Sequence, residues 1–220
     1  MKNIILQHWT GELGPLELAS KANMEKYAKQ CGAEYELILG NQFHPKLHGC
    51  YQKLIMLDKR FDKYQDTLMV DLDMFVVKDV KDNVFDVPGV GLNSKVQKDI
   101  FKAMCKGKKY RSVTDRNGPF WGGAFWKFTN DQRKQLRKFI VDKELKIFNK
   151  NFNDEGAIHR LATLAGLKQI DVPEEWCWGN CFPGYENAKM IHIRHKFKYV
   201  GPKVPKLEVY EALKKEGIFE

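Results

Sequence analysis

The sequence predicts an α/β protein: a single domain over 1–220 whose central sheet is mixed, mainly parallel and flanked by helices. Three observations lead there. The chain opens on a strand-helix-strand pattern, a later apolar run stops abruptly on two acids, and 220 residues are enough to enclose one sizeable core.

Ile4, Ile5 and Leu6 read as a first buried strand, followed by Gln7, His8 and Trp9 and a turn over 11–15. Over 16–29, Leu16, Ala19, Met24, Tyr27 and Ala28 recur at helical spacing, and Gly32 stops the helix. Residues 35–39 form a second strand. Crossovers of this kind are right-handed and make the two strands parallel neighbours. The unit contains neither Gly-x-Gly-x-x-Gly nor a Walker-type phosphate loop, which removes the main support for dinucleotide and P-loop readings.

A loop over 44–50 leads to a helix expected over 51–61, with Leu54, Ile55, Leu57 and Phe61 inward and Lys53 near its start. The next stretch, 67–78, reads T-L-M-V-D-L-D-M-F-V-V-K. Leu68, Met69 and Val70 are the kind of run expected of a strand buried on both faces. In a continued strand, Asp71 and Asp73 would share one side and Leu72 would point away. Two carboxylates that close repel unless a cation sits between them, so a divalent metal is the natural occupant. Open α/β sheets bind their ligands just beyond the carboxyl ends of strands, where this pair lies. An Asp-x-Asp also caps turns, but here it is held between two apolar segments.

Further on, the pattern predicts a turn or short helix over 82–85, a brief strand over 90–92 and a helix in the first half of 95–111. Residues 117–128, N-G-P-F-W-G-G-A-F-W-K-F, read as a loop entering a strand, where Gly122 and Gly123 would allow close backbone approach. Helices follow over 131–148, striped by Leu136, Phe139, Ile140 and Leu145, and over 156–164, preceded by Asn153, Asp154 and Glu155. A late strand over 170–172 and an aromatic loop over 176–178 precede K-M-I-H-I-R-H-K-F-K at 189–198. His192 closes a short apolar run there, available as an imidazole partner for a two-carboxylate metal site.

Composition bounds the function class. Five widely spread cysteines, an odd number, argue against a disulfide framework, and Cys177 and Cys181 lack a second pair at zinc-finger spacing; reduced thiols are expected. No apolar run approaches the roughly 18–20 residues that span a bilayer, and the start of the chain lacks the pattern of a signal peptide, so a cytoplasmic protein without a transmembrane segment is expected. The net charge of +9 points to anionic partners. Peripheral membrane contact through the basic stretch 196–215 is compatible with it.

Taken in order, these motifs resemble the metal-dependent glycosyltransferases of GT-A fold, a Rossmann-like architecture, and most of all the glycogenin and bacterial galactosyltransferase group and its small stand-alone bacterial or viral versions. Tyr51-Gln52-Lys53-Leu54 resembles the helix before the family's Asp-x-Asp strand, and 67–79 resembles that strand and the small hairpin after it, here 74–79. Trp121-Gly122-Gly123-Ala124 is similar to the small-residue segment beside the donor sugar, Asn153-Asp154-Glu155 to the turn at that sugar, and Met190-Ile191-His192 to the late strand with a metal-binding His. The family often has Gly and Lys-Pro-Trp soon after that His. Here Arg194, His195, Lys196, Phe197 and Lys198 intervene before Gly201-Pro202-Lys203, which leaves His192 and His195 both open as third ligand.

The resemblance implies sugar transfer from a nucleoside diphosphate sugar, a UDP-sugar above all, to a hydroxyl of a glycan or glycoprotein acceptor, with retention preferred over inversion. It implies Mn2+ or Mg2+ on Asp71, Asp73 and His192, and a nucleotide-binding half over about 1–92 that holds the nucleotide with His8, Trp9, Lys53, Asp71 and Leu72. In the sugar- and acceptor-binding half, about 93–220, Arg194, His195 and Lys198 would add charge at the diphosphate. Gly122, Gly123 and Asp154 would meet the donor sugar, and Asp154 and Glu155 are the catalytic candidates, one of them the general base if configuration inverts.

Two alternatives come from other classes. A haloacid dehalogenase-type phosphatase also uses Asp-x-Asp after an apolar strand, but on its first strand and with Thr or Val where Phe75 stands here. A basic nucleic-acid-binding domain fits the charge, yet no recognised module occurs and the acidic pair would repel phosphate, so no nucleic-acid partner is expected.

Overall fold

The computed structural model describes residues 2–88, 123–141, 153–167, 172–198 and 201–220. The expected strand over 90–92, the helix within 95–111, Gly122 and the end of the helix over 131–148 lie outside them.

β1 (Ile4–Trp9) and β2 (Glu34–Leu39) are parallel neighbours, Ile4 opposite Glu34 and Trp9 opposite Leu39, joined across α1 (Pro15–Gln30). Glu17 in the first turn of α1 accepts from Gly14 N–H at 3.1 Å, and Gly32, at φ +65°, ends the helix in the left-handed region that glycine enters without a Cβ clash.

The helix expected over 51–61 is instead a 3-10 run, Gly49–Leu57, followed by a second short 3-10 turn, Lys59–Phe61. Asp58 makes the break. Its backbone is extended at ψ 147°, and its carboxylate accepts from Arg60 N–H at 2.8 Å, so it caps a new turn rather than continuing the old one. All seven residues of 51–57 are buried, Gln52 and Lys53 included.

β3 (Asp66–Val70) pairs in parallel with the other side of β1. The chain then turns into β4 (Met74–Val76), where a hairpin over 74–79 was expected; β4 instead pairs with a strand from the far end of the chain. β5 (Phe125–Thr129) is antiparallel to β3, giving a central sheet of order β2-β1-β3-β5. Three parallel strands with one antiparallel edge make the sheet mixed and mainly parallel.

Period-two alternation sends successive residues to opposite layers. Ile4, Leu6, Met69, Trp126 and Phe128 face the 3-10 run together with α2 (Asn130–Val141) and α3 (Asn153–Leu164). Ile5, Leu68, Val70 and Phe125 face Met24, Tyr27 and Ala28 of α1, with Trp176. The sheet is thus covered on both faces, as helix crossovers require of parallel strands.

β6 (Trp178–Gly179) and β7 (Met190–His192) join β4 in a second sheet of order β4-β7-β6. α4 (Lys206–Lys215) packs Val209, Tyr210 and Leu213 onto Phe75 and Ile191, and the rings of Phe75 and Tyr210 stack at 4.6 Å. Among the described residues Cys31, Cys50, Cys177 and Cys181 form no disulfide, and burial pushes the Cys177 thiol up to about 12. No helix among the described residues is long and apolar enough to cross a membrane.

Candidate metal and nucleotide site

Asp71, Leu72 and Asp73 form the turn between β3 and β4, closed by Met74 N–H donating to Asp71 O at 3.1 Å. They do not continue the strand, so the two carboxylates meet through the turn rather than through strand alternation. Leu72, itself buried, is among the residues that line the cavity with the acids.

The turn is held from behind by Gln7, which is fully buried within β1. Its Nε2 donates to Ser20 Oγ at 2.9 Å and to Asp71 O at 3.1 Å, and its Oε1 accepts from Tyr35 OH at 2.8 Å. Ser20 in turn donates to Met74 O at 2.8 Å. This chain satisfies every buried partner and fixes where the acids sit.

β7 runs antiparallel to β4 with Met74 opposite His192, which brings the imidazole to the acids. His192 Nε2 lies 3.1 Å from Asp73 Oδ1 and 3.9 Å from Asp71 Oδ2. One donor atom from each of Asp71, Asp73 and His192 lies within 4.8 Å of the others. Buried Asp73 Oδ1 and His192 Nδ1 have no hydrogen bond. Two carboxylates and an imidazole around one point fit a manganese- or magnesium-like ion. His195 is exposed, its Nδ1 donating to Val204 O at 3.2 Å, and it does not belong to this group.

Lys53 is the buried cation of the site. Its Nζ donates to Asp71 Oδ1 and to Gly123 O, both at 2.5 Å, pairs with Asp154, and lies 5.0 Å from the centre of the Trp126 ring. Burial alone would lower its pKa, but Asp154 and Asp71 outweigh burial and raise it, so the ammonium stays charged. Asp73 follows the same logic with the sign reversed. Burial would raise its carboxyl, yet His192 and Lys206 hold it far below the usual carboxylate range. Burial, with the Arg194 charge added, pushes the pKa of His192 down against the pull of Asp73.

Asp154 and Glu155 lie in the first turn of α3. Asp154 lines the cavity, and Gly123 N–H donates to Glu155 Oε1 at 3.4 Å. Burial, with repulsion from Asp154, pushes the Glu155 carboxyl up. A Cβ at Gly123 would lie 2.8 Å from Asp154 Oδ2, so any larger residue there would displace that carboxylate.

The cavity measures about 330 Å³ and is lined by His8, Trp9, Thr10, His48, Gly49, Cys50, Lys53, Asp71, Leu72, Asp73 and Asp154. It opens at the carboxyl ends of β1 and β3. His8 Nε2 donates to Gly40 O at 2.8 Å, and burial lowers its pKa. Arg194, His195 and Lys198 do not line this cavity. Arg194 is half-buried, with its N–H donating to Asn180 Oδ1 at 2.6 Å, and Lys198 is exposed.

The sequence reading missed Thr10, His48, Gly49 and Cys50 in the lining and Lys206 on Asp73. Lys206 carried a weak signal, as one of the lysines after His192.

No family model and no curated protein matches the sequence. Among solved structures the chain is similar to a glycosyltransferase involved in the glycosylation of the major capsid of PBCV-1. The TM-score is 0.55 at 11% identity, and the match covers 97% of this chain and 100% of that one. The fold is one that a glycosyltransferase uses. Because the match runs nearly end to end, the fold as a whole is shared, and at this identity the correspondence is one of backbone rather than of side chains.

Proposed function

We propose that the chain is a metal-dependent glycosyltransferase that moves a sugar from a nucleoside diphosphate sugar, in the first place a UDP-sugar, to a hydroxyl of a glycan or glycoprotein acceptor. The observation that carries this reading is the grouping of Asp71, Asp73 and His192, with both aspartates lining a cavity that His8 and Trp9 also line. Carboxylates suited to a metal and the flat rings of His8 and Trp9 around one cavity of about 330 Å³ suit a diphosphate joined to a base. The shared fold with a glycosyltransferase supports the same class.

In this reading Asp71, Asp73 and His192 hold Mn2+ or Mg2+, and His8, Trp9 and Leu72 contact the nucleotide. A bound divalent ion would neutralise charge on the departing nucleoside diphosphate. Lys53 serves as a strut rather than a free phosphate ligand: it fixes Asp71 toward the nucleotide and Asp154 toward the donor sugar. Asp154 then accepts from sugar hydroxyls, and Gly123 lets its carboxylate pack close to the backbone. Arg194, His195 and Lys198 contribute positive charge around the diphosphate at longer range.

The transfer proceeds with retention, the leaving phosphate helping to deprotonate the acceptor hydroxyl. Glu155, half-buried, accepts from Gly123 N–H with its carboxyl pushed up by burial, and orients the sugar from there. The test is a screen of UDP-sugars for slow hydrolysis with Mn2+ and with a chelator. Metal-dependent release of UDP from one sugar supports the reading. No release from any UDP-, GDP- or dTDP-sugar, with a phosphatase activity in its place, contradicts it.

A further inference from the structure

Each aspartate of the ligand group divides its two oxygens between an inner and an outer partner. Asp71 turns Oδ2 toward His192 Nε2 and gives Oδ1 to Lys53; Asp73 turns Oδ1 toward His192 Nε2 and gives Oδ2 to Lys206. The inner oxygens and the imidazole make the metal position, and an ammonium stands behind each carboxylate.

The two ammoniums are not equivalent. Lys53 is shared by Asp71, Asp154, Gly123 O and the Trp126 ring, and its side chain is only 7% exposed. Lys206 is the first residue of α4, beside solvent, with its side chain 27% exposed and its ammonium on Asp73. A lysine on a flexible stem can leave such a contact once a stronger anion is near. Lys53 cannot leave without stranding two carboxylates.

We propose that Lys206 is an electrostatic gate on the metal site: it opposes a divalent cation on Asp73 until a diphosphate offers its ammonium a second partner. The inference rests on the reading of this cavity as a diphosphate and divalent-metal site. Like charges on opposite sides of one carboxylate that is only 16% exposed repel more strongly than they would in bulk water. A diphosphate in the cavity relieves that repulsion by drawing the ammonium away from Asp73. Metal and diphosphate therefore bind with positive coupling, and the coupling is reciprocal.

The test is titration of Mn2+ into the full chain, followed by the electron paramagnetic resonance signal of free Mn2+, with and without UDP. Wild type is compared with Lys206→Met, Lys206→Gln and Lys206→Arg, each checked for folding by circular dichroism, and with Asp73→Asn. Either neutral variant that folds binds Mn2+ alone about tenfold more tightly than wild type, and UDP improves its Mn2+ affinity less than it does for wild type. Lys206→Arg keeps the wild-type pattern. A merely structural role for Lys206 would weaken Mn2+ and UDP together. Neutral variants that bind Mn2+ no more tightly than wild type overturn the gate, while loss of wild-type binding in Asp73→Asn shows that the metal site itself stands. If wild type binds no Mn2+ with or without UDP, the metal site falls and the gate falls with it.

Discussion

Lys53 Nζ lies 2.5 Å from Asp71 Oδ1, tying the 3-10 segment to the turn that carries the acidic pair. The same ammonium pairs with Asp154 at the start of α3, so one cation joins three elements around the cavity. Replacing it with Lys53→Met leaves two carboxylates near each other with no cation between them, and we expect a loss of about 3 kcal/mol in unfolding free energy. Lys53→Arg, which keeps the charge, should recover part of it. Urea denaturation of the three proteins checks the order.

Gly123→Ala tests the space beside Asp154. The new Cβ would meet Asp154 Oδ2 at 2.8 Å and Glu155 Cγ at 3.0 Å, so both carboxylates must shift while the fold stays in place. Stability should fall by only about 1–2 kcal/mol, as for a small overpacking, while turnover of the donor falls by about a hundredfold or more. Thermal unfolding and UDP release, measured side by side, separate the two effects.

Gln7→Leu removes the node behind the acidic turn. Ser20 Oγ, Asp71 O and Tyr35 OH lose a buried partner together, which should cost about 1–3 kcal/mol and loosen metal binding without touching any ligand atom. Calorimetric titration of Mn2+ with and without the substitution reads the second effect directly.

The site predicts a pH dependence with a definite sign. His8 and His192 both have folded pKa values below the ordinary imidazole value, burial being the largest cause in each. Between that ordinary value, about 6.5, and the lower folded one, the unfolded chain binds more protons, so stability falls as pH falls. Asp73, with its depressed carboxyl, adds a second loss of the same sign at lower pH, below its unfolded value of about 3.9. Chemical denaturation at pH 7.5 and pH 5.5 should show the first loss, and His8→Asn should flatten it.

Much of this was legible in the sequence because it is written in periodicity and order. The apolar runs at 4–6 and 68–70 marked buried strands, and the sudden Asp71-Leu72-Asp73 after one of them, with His192 closing a later one, pointed to the candidate ligand group. The 3-10 run was not legible, since its apolar spacing matches an α-helix and the difference lies in Asp58 capping a second turn. Lys206 was hidden for another reason: within a run of lysines it looks like solvated surface, and only the packing of α4 on Phe75 and Ile191 sets it against Asp73. Arg194, His195 and Lys198 show the converse, because nearness to His192 in sequence does not carry them into the cavity wall once β7 has ended.

The most direct measurement is calorimetric titration of UDP into the protein with Mn2+, with a chelator, and with Asp73→Ala in the presence of Mn2+. The account predicts binding in the first case and its loss in the other two. UDP binding that survives both the chelator and the substitution, or no binding of UDP, GDP or dTDP under any of the three conditions, would contradict it.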